Sequence, residues 1–312
     1  MPVHSNKWSI IANRSEHLTF EKERLPYLSA FLAVCMVWGL SLVVAYDLLD
    51  TGIPPIFLIT ATYCLGALVL FPVKLAAAPR ISRNEWKYGA AVGLLIFAAF
   101  GLQTVGLVYT TPARSGLLTV LYVLFVPLII SLIRKRFSVR SIAFALIGFA
   151  GVMVMSGITG GDASMNIGDA LTIACAVLFA MQFVALEKFS PRLNAVNFTL
   201  VQMVAATLVG AAVSIIFEHG QYAGMDLMGS LAGLAFMGFI VTGLGFFVQT
   251  AAQKKIPSTT ISIMCCTESV FALIFSWALG IDAITLPLIA GAVLIVASTL
   301  LSSIYERREL IS

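Results

Sequence analysis

The stretch ISIMCCTESVFALIFSW, Ile261 to Trp277, places one ionisable side chain, Glu268, inside a long apolar run. A helix needs about 20 mostly apolar residues to cross the roughly 30 Å hydrocarbon core of a bilayer, where every backbone group must be paired within the segment. Extended to residues 257–279, the run has that length. It therefore predicts a membrane-spanning helix with a carboxylate close to the bilayer midplane.

The composition of the whole chain indicates many such helices. Of its 312 residues, 60% are hydrophobic and 11% are charged, against roughly 45 to 50% and about 25% in a soluble domain. The continuous hydrophobicity of the runs favours helices over the alternating strands of a membrane barrel. Prolines near several starts agree with this assignment, namely Pro26, Pro55, Pro112 and Pro257. The ten predicted spans are 26–48, 55–78, 86–109, 112–133, 139–157, 167–187, 195–217, 227–253, 257–279 and 284–304.

The charges between the spans support this count. With a cytoplasmic amino terminus, every lysine and arginine except Arg114 falls on the cytoplasmic side, whereas the opposite loops hold acids such as Asp50, Asp226 and Asp282. This positive-inside bias predicts a multi-pass protein of the inner (plasma) membrane with both termini cytoplasmic. The polar tails are residues 1–25 and 305–312, and the first lacks the apolar core of a signal peptide.

Several function classes lack their usual residues. No basic patch interleaved with aromatics is present, so no nucleic-acid partner is predicted. The five cysteines have no paired metal spacing, and no nucleotide-binding motif occurs, so neither a metal nor a cofactor is predicted. A membrane-embedded lipid-modifying enzyme usually needs a base or metal ligands near one interface, yet all three histidines lie outside the spans. Such an enzyme and a channel-like facilitator are the alternatives to a carrier.

A weak internal repeat divides the chain into two halves. Trp38-Gly39-Leu40-Ser41 corresponds to Phe179-Ala180-Met181-Gln182, and Pro112 corresponds to Pro257, at nearly constant spacing. Five helices repeated once predict units at residues 26–157 and 158–304 that point in opposite directions, because five is odd. Inverted repeats are typical of secondary transporters, whose substrate site lies near the midplane between the halves.

Two segments also resemble a known family. The run GLQTVGLVYTTPARSGLLTVLYVLFVPLI, Gly101 to Ile129, and the run QTAAQKKIPSTTISIMCCTESVFALIFSWALG, Gln249 to Gly280, are similar to the signature regions of EamA-type permeases of the drug/metabolite transporter superfamily. The resemblance covers about Leu25 to Ser303. It implies an all-α integral membrane fold with ten transmembrane helices in two inverted five-helix repeats. It also implies transport, often export, of amino acids or related small metabolites.

The second segment departs from the family pattern in two places. Where the family usually has Glu-Pro-Val-Phe, this chain has Glu268-Ser269-Val270-Phe271. The later acidic residue of the pattern is here a shifted aspartate, Asp282. The specific substrate, the direction of transport, the coupling ion and the oligomeric state are not encoded in these motifs.

Polar side chains inside the predicted spans are candidates for a substrate-binding cavity, because hydrocarbon cannot satisfy their hydrogen bonds. Hydroxyls can instead bond to their own backbone one turn earlier, and Trp38 can equally be a packing residue. The candidates are Trp38, Gln103, Ser115, Thr119, Tyr122, Gln182, Gln249, Gln253, Thr267 and Glu268.

Glu268 has two interpretations. An ionised carboxylate facing lipid is costly, so the side chain is expected to face the interior of the helix bundle, be neutralised or find a partner. It can act as a proton-coupling or substrate-amine site, or as a hydrogen-bonding strut between helices. From the sequence we favour the strut.

Overall fold

The structure is a computed structural model that describes residues 5–135, residues 143, 144, 146–148, 150, 151 and 154, and residues 165–309. Within these ranges it describes only the backbone of residues 5–24, 134, 295, 299, 300 and 302–309. All regular secondary structure in the described part is helical, and that part contains no strand.

Eleven α-helices follow one another along the described chain. Two of the membrane-length spans are each built from more than one of them: α4 with α5, and α8 with α9, the latter pair being joined by a π-helical segment, Phe236–Leu244. The helices are α1 Ser5–Asp50, α2 Pro55–Ala77, α3 Arg83–Leu107, α4 Pro112–Thr119, α5 Tyr122–Arg134, α6 Ile167–Phe189, α7 Ala195–Phe217, α8 Leu227–Ala235, α9 Gly245–Gln253, α10 Ser258–Ala278 and α11 Leu286–Glu309.

Eight spans of the described chain are long and apolar enough to cross a bilayer, and α11 adds a shorter apolar stretch, Leu286–Ser298. The predicted span 139–157 lies largely outside the described residues. Large apolar side chains on the outer surface are exposed, among them Leu68, Phe71 and Leu208. Such a surface suits lipid, and the fold is that of an all-helical, multi-pass membrane protein.

The first helix starts earlier than predicted. α1 begins at Ser5, not near residue 26, and Pro26 lies inside it. Residues 5–25 contain no glycine or proline, so nothing in their composition interrupts the backbone pattern before Pro26. The polar segment 5–25 therefore continues the first span as a helix.

Local sequence explains the other starts. Ser82 and Asn166 each form a capping box, with Glu85 and Asp169 respectively three residues later. Each side chain satisfies one of the free amides of the first helical turn. Pro112 opens α4 at a position where its missing N–H costs nothing.

Contacts between loops define two ends of the bundle. At the first, which we call the acidic end, Glu218 accepts hydrogen bonds from the Ile56 and Phe57 amides, and Asp282 accepts one from the Ala113 amide. Arg114 is the basic residue that the described chain places there, and its Nη2 lies 2.5 Å from Asp169 Oδ2. The acids at this end are Asp47, Asp50, Asp169, Glu218, Asp226 and Asp282.

The opposite end, the basic end, is joined by different contacts. Glu85 accepts from the Asn194 amide, Asn197 donates to the Pro79 carbonyl, and Lys254 donates to the Leu193 carbonyl. Seven basic residues lie around these contacts, namely Arg80, Arg83, Lys87, Lys188, Arg192, Lys254 and Lys255. Lysines and arginines therefore predominate at this end, where Glu85 and Glu187 also lie, and acids predominate at the other end.

The first and second halves of the chain pack against each other along most of their length. α3 packs on α6 and α7, and α2 packs on α7 and the π-helical segment. α1 packs on α10, and α4 and α5 pack on α6 and α10. This packing leaves a space at mid-height between the two halves.

Candidate functional site

A narrow cavity of about 30 Å³ lies at mid-height in the bundle. Its wall is formed by α1, α3, α4, α5, α6, α9 and α10, so that both halves of the chain contribute. That room holds about one or two water molecules, so a larger solute can enter only if the helices of the wall move apart.

One pattern supplies most of the wall. In each of four helices an aromatic residue is followed three positions later by a polar one, and residues at this spacing share a helix face. Two of these pairs come from each half of the chain. The pairs are Trp38 and Ser41, Phe100 and Gln103, Phe179 and Gln182, and Phe246 and Gln249.

Helix direction sorts these residues into layers. α1 and α3 run toward the acidic end, so Ser41 and Gln103 lie on that side of their aromatic partners. α6 and α9 run toward the basic end, so Gln182 and Gln249 lie on the other side. The cavity thus has an aromatic middle layer between two polar layers.

The aromatic layer is continuous. Trp38 and Phe246 have ring centroids 5.6 Å apart, Phe246 and Phe100 5.7 Å, and Phe100 and Phe179 4.8 Å. Tyr122 extends the series, with centroids 6.4 Å from Phe179 and 5.1 Å from Phe183. Most of these contacts are edge-to-face, a favourable arrangement for aromatic pairs.

The two polar layers are closed by amide hydrogen bonds. On the acidic-end side, Gln103 Nε2 donates to Thr119 Oγ1 at 2.9 Å. On the basic-end side, Gln182 and Gln249 each donate from Nε2 to the other's Oε1, both at 3.3 Å. This reciprocal pair joins α6 to α9 directly beneath the cavity.

Trp38 is fixed by the π-helical segment. Its indole Nε1 donates to the Val241 carbonyl at 3.1 Å, and it also packs on Phe31. A π-helix is wider than an α-helix and frequently marks a functional site. Trp38 is therefore held at the cavity wall by both a hydrogen bond and ring packing.

Gly39 allows α1 to approach α10 closely. A Cβ atom at Gly39 would lie 2.6 Å from Phe271 Cβ and 2.7 Å from the Glu268 carbonyl oxygen. These distances are too short for real carbon atoms, so only glycine fits here. The close approach brings Trp38 and Ser41 to the same wall as Glu268.

Glu268 lines the cavity, as its position in an apolar run predicts. In the described part of the chain its carboxylate accepts no hydrogen bond and forms no ion pair. A strut needs a partner, so the strut interpretation favoured from the sequence lacks its essential contact here. The geometry is that of a carboxylate presented to the cavity.

Tyr122 also reaches the wall with an unused group. Its side chain is 2% exposed, and its hydroxyl has no hydrogen-bond partner in the part of the chain that the structure describes. A buried hydroxyl without a partner costs free energy, which a bound solute or water can recover. Of the ten sequence-predicted candidates, seven line this cavity: Trp38, Gln103, Thr119, Tyr122, Gln182, Gln249 and Glu268.

The structure places the other three candidates elsewhere. Ser115 is buried one turn from Thr119 toward the acidic end, and its carbonyl accepts the Thr119 hydroxyl. Gln253 donates to the Phe183 carbonyl, nearer the basic end. The half-buried Thr267 bonds to the Met264 carbonyl in its own helix, so it does not need a cavity.

The space continues toward the acidic end. A second cavity of about 30 Å³ shares Ser41 and Gln103 with the first and extends to Leu107. Beyond Leu107 a vestibule of about 490 Å³ is lined by exposed residues such as Asp50 and Tyr109. Buried Ile53 and Leu58 pack with Leu107 into an apolar cluster at the boundary between the two spaces.

Comparison with known proteins identifies the architecture. The EamA-like transporter family matches the chain twice, at residues 25–157 and again at residues 166–304. The chain belongs to the EamA-like transporter family. The resemblance noted in the sequence is confirmed.

EamA-like relatives include transporters from an archaeon and a bacterium. An "Uncharacterized transporter" of Archaeoglobus fulgidus is 26% identical over 87% of this chain and 83% of its own length. "Uncharacterized transporter YvbV" of Bacillus subtilis is 27% identical over 89% of this chain and 90% of its own. A crystal structure superposes with a TM-score of 0.68 at 21% identity, covering 91% of this chain and 99% of that chain, and it supports the fold alone.

Sequence reasoning missed much of the wall of this EamA-like cavity. Phe100, Phe183 and Phe246 were not singled out, because phenylalanine is equally common on lipid-facing surfaces. The signal that could have found two of them is the spacing, since an aromatic residue precedes Gln103 and Gln249 by three positions. No sequence pattern predicts the π-helical segment, whose Val241 carbonyl holds Trp38 in place.

Proposed function

We propose that this protein is a secondary transporter that moves small organic metabolites by alternating access. In this proposal residues 26–157 and 158–304 are two inverted five-helix repeats whose shared cavity is the substrate site. The observation that carries the proposal is that cavity, to which each half contributes two aromatic and polar pairs in opposite directions.

The pattern of helix packing supports the inverted repeats. If each span is exchanged for its counterpart in the other half, α3 packed on α6 becomes the span of α8 and α9 packed on α1, and this contact exists. Likewise α3 on α7 becomes the π-helical segment on α2, and α1 on α10 becomes α6 on α4 and α5. A bundle that is unchanged by this exchange is what a two-fold relation between the halves requires.

The different closures on the two sides support alternating access. Toward the acidic end a second space and then the apolar cluster of Ile53, Leu58 and Leu107 separate the cavity from the vestibule, whereas the Gln182 and Gln249 pair closes the cavity toward the basic end. Under the positive-inside rule the basic end is cytoplasmic, so the vestibule opens on the outer side of the inner membrane and both termini lie in the cytoplasm. Separation of α6 from α9 would open the basic end, and closure of the vestibule would complete the exchange. We further propose export as the direction, from the family resemblance.

Flux measurements test this function. Purified protein reconstituted in liposomes is expected to give saturable uptake of labelled metabolites from a panel of amino acids and amines. Counterflow is the decisive readout, because a preloaded substrate accelerates uptake through a carrier and not through a channel. Flux without counterflow would favour the channel-like alternative, and turnover of lipid without solute flux would favour the enzyme.

Glu268 is the proposed coupling residue. Glu268→Gln keeps the shape of the side chain and removes its proton-binding carboxylate. We expect the variant to lose the response of flux to an imposed pH gradient. Asp47→Asn is the matched control, since Asp47 is an exposed acid outside the cavity. An unchanged pH response in Glu268→Gln would remove proton coupling through this residue from the proposal.

A further inference from the structure

The charge on the cavity wall is one-sided. Glu268 is the acidic residue of the wall, and no lysine, arginine or histidine is among the described residues that line it. The ion pair described at the acidic end, Arg114 with Asp169, does not line the wall. A solute carboxylate would therefore meet no cation here and would lie in the same small space as Glu268.

The polar groups of the wall differ in whether they already have hydrogen-bond partners. Gln103 donates one hydrogen bond to Thr119, and Gln182 and Gln249 donate one to each other, so these amides are neutral groups that are already partly satisfied. The carboxylate of Glu268 and the hydroxyl of Tyr122 have no partner in the described structure. Both can accept a hydrogen bond from a donor such as an ammonium group, and the ammonium also offsets the carboxylate charge.

The aromatic layer favours the same class of solute. Rings of Trp38, Phe246, Phe100, Phe179 and Tyr122 follow one another around the space at centroid distances of 4.8 to 6.4 Å. Aromatic faces attract cations within about 6 Å, and they pack well against flat apolar groups. An apolar body with one positive charge matches both features.

We propose that this cavity selects organic cations, namely protonated amines on an apolar or aromatic body without a free carboxylate. Zwitterionic amino acids and anions are excluded because the wall offers their carboxylate no positive partner. The inference rests on the proposed function, since it takes the cavity to be the transport site. It narrows the amino acids and related compounds expected from family resemblance to amines.

Four ring-matched compounds test the charge preference in the unmodified protein. Phenethylamine is a cation at neutral pH, phenylalanine a zwitterion, 3-phenylpropanoate an anion and 2-phenylethanol neutral. Binding is measured as the rise in melting temperature of the detergent-purified protein against ligand concentration. We expect phenethylamine to bind roughly 10- to 100-fold more tightly than 2-phenylethanol, the usual contribution of a charged hydrogen bond. Phenylalanine and 3-phenylpropanoate are expected to bind more weakly than the alcohol.

Glu268→Gln assigns the preference to its source. In this variant phenethylamine and 2-phenylethanol are expected to bind about equally, since an amide has no charge to offer. Binding of the alcohol serves as an internal control for folding. Glu268→Asp is the second variant and is expected to retain the preference for the amine.

The outcomes separate this inference from the proposed function. Phenylalanine binding as tightly as phenethylamine, no binding of phenethylamine, or an unchanged preference in a folded Glu268→Gln would each overturn the inference. If phenethylamine binds preferentially but is never transported in liposomes, the selectivity stands and the transport function fails. If phenylalanine is transported and phenethylamine is not, transport stands and the selectivity fails.

Discussion

The acidic and basic ends of the bundle are closed in different ways, although the cavity wall has similar aromatic and polar pairs on both sides. At the acidic end an ion pair and two carboxylates hold the loops at the periphery, and open space remains beneath them. At the basic end two glutamines meet in the middle of the bundle, and an aromatic pair, Tyr88 and Phe189, stacks nearby. The same aromatic and polar spacing therefore gives two different arrangements. Gln182 and Gln249 of the second half bond to each other, whereas Ser41 and Gln103 at the equivalent positions of the first half bond to the Trp38 carbonyl and to Thr119.

The largest expected effect comes from breaking the ion pair at the acidic end. Asp169 is fully buried, so Arg114→Met leaves its charge without a cation. Removing one partner of a buried pair costs several kcal/mol, and about 3 kcal/mol is expected because the Asn166 amide still donates to Asp169. The measurement is the melting temperature in detergent.

The double variant Arg114→Met with Asp169→Asn is the control for that prediction. Because it removes both charges, it is expected to recover much of the lost stability. A double variant as unstable as the single one would show that the buried charge is not the cause.

The next effect concerns the middle of the bundle, which both ends share. Gly39→Ala forces a methyl group against Phe271 and the backbone of α10. Overpacking of this kind costs about 1–3 kcal/mol, and the upper part of that range is expected because backbone atoms cannot turn aside. Gly220→Ala is the matched control, since a Cβ atom there meets nothing within 4 Å. Equal melting temperatures for the two variants would contradict the close approach of α1 and α10.

A smaller effect is expected at the basic end. Gln182→Leu leaves the buried amide of Gln249 without its partner, a loss of about 1–2 kcal/mol. The double variant with Gln249→Leu replaces both amides and is expected to lie closer to the wild type in melting temperature. Additive losses in the double variant would mean that the two glutamines do not act as a pair.

The smallest effect concerns the aromatic stack beside that closure. Tyr88 and Phe189 lie with centroids 4.2 Å apart and planes inclined by 12°. Tyr88→Leu keeps apolar bulk and removes the stacking, for an expected loss of about 0.5–1.5 kcal/mol. Tyr109→Leu at the acidic end is the control, because its side chain is 55% exposed. A greater loss of stability in Tyr109→Leu than in Tyr88→Leu would contradict a stabilising role for the stacked pair.

Much of the fold could be predicted because its signals are local. Span 195–217 agrees with α7 residue for residue, and 227–253 agrees with the span formed by α8 and α9. Hydrophobic length and helix caps are properties of a few neighbouring residues, so they are visible without tertiary structure. The start of α1 was predicted wrongly because the predicted boundary marks where the apolar residues begin. A helix can extend beyond the bilayer into polar residues, and here it does.

The candidate site could be predicted only in part. Glu268 and the glutamines are visible because polar groups in hydrocarbon need a partner, and seven of the candidates share one cavity. Thr267 and Gln253 obey the same rule but satisfy it with backbone carbonyls. The aromatic wall could not be predicted from residue type, since exposed Phe217 and buried Phe246 look alike in the sequence.

The π-helical segment has a consequence for how the two halves can diverge. Phe100 lies 18 residues after the N-cap Ser82, whereas Phe246 lies 20 residues after the N-cap Asp226. In a regular α-helix, two additional residues would swing every later side chain by about 200°. A wider turn absorbs added length with less rotation, so the longer span still points its ring and amide inward. Insertions in this part of the chain can thus be tolerated without turning the substrate-facing side away.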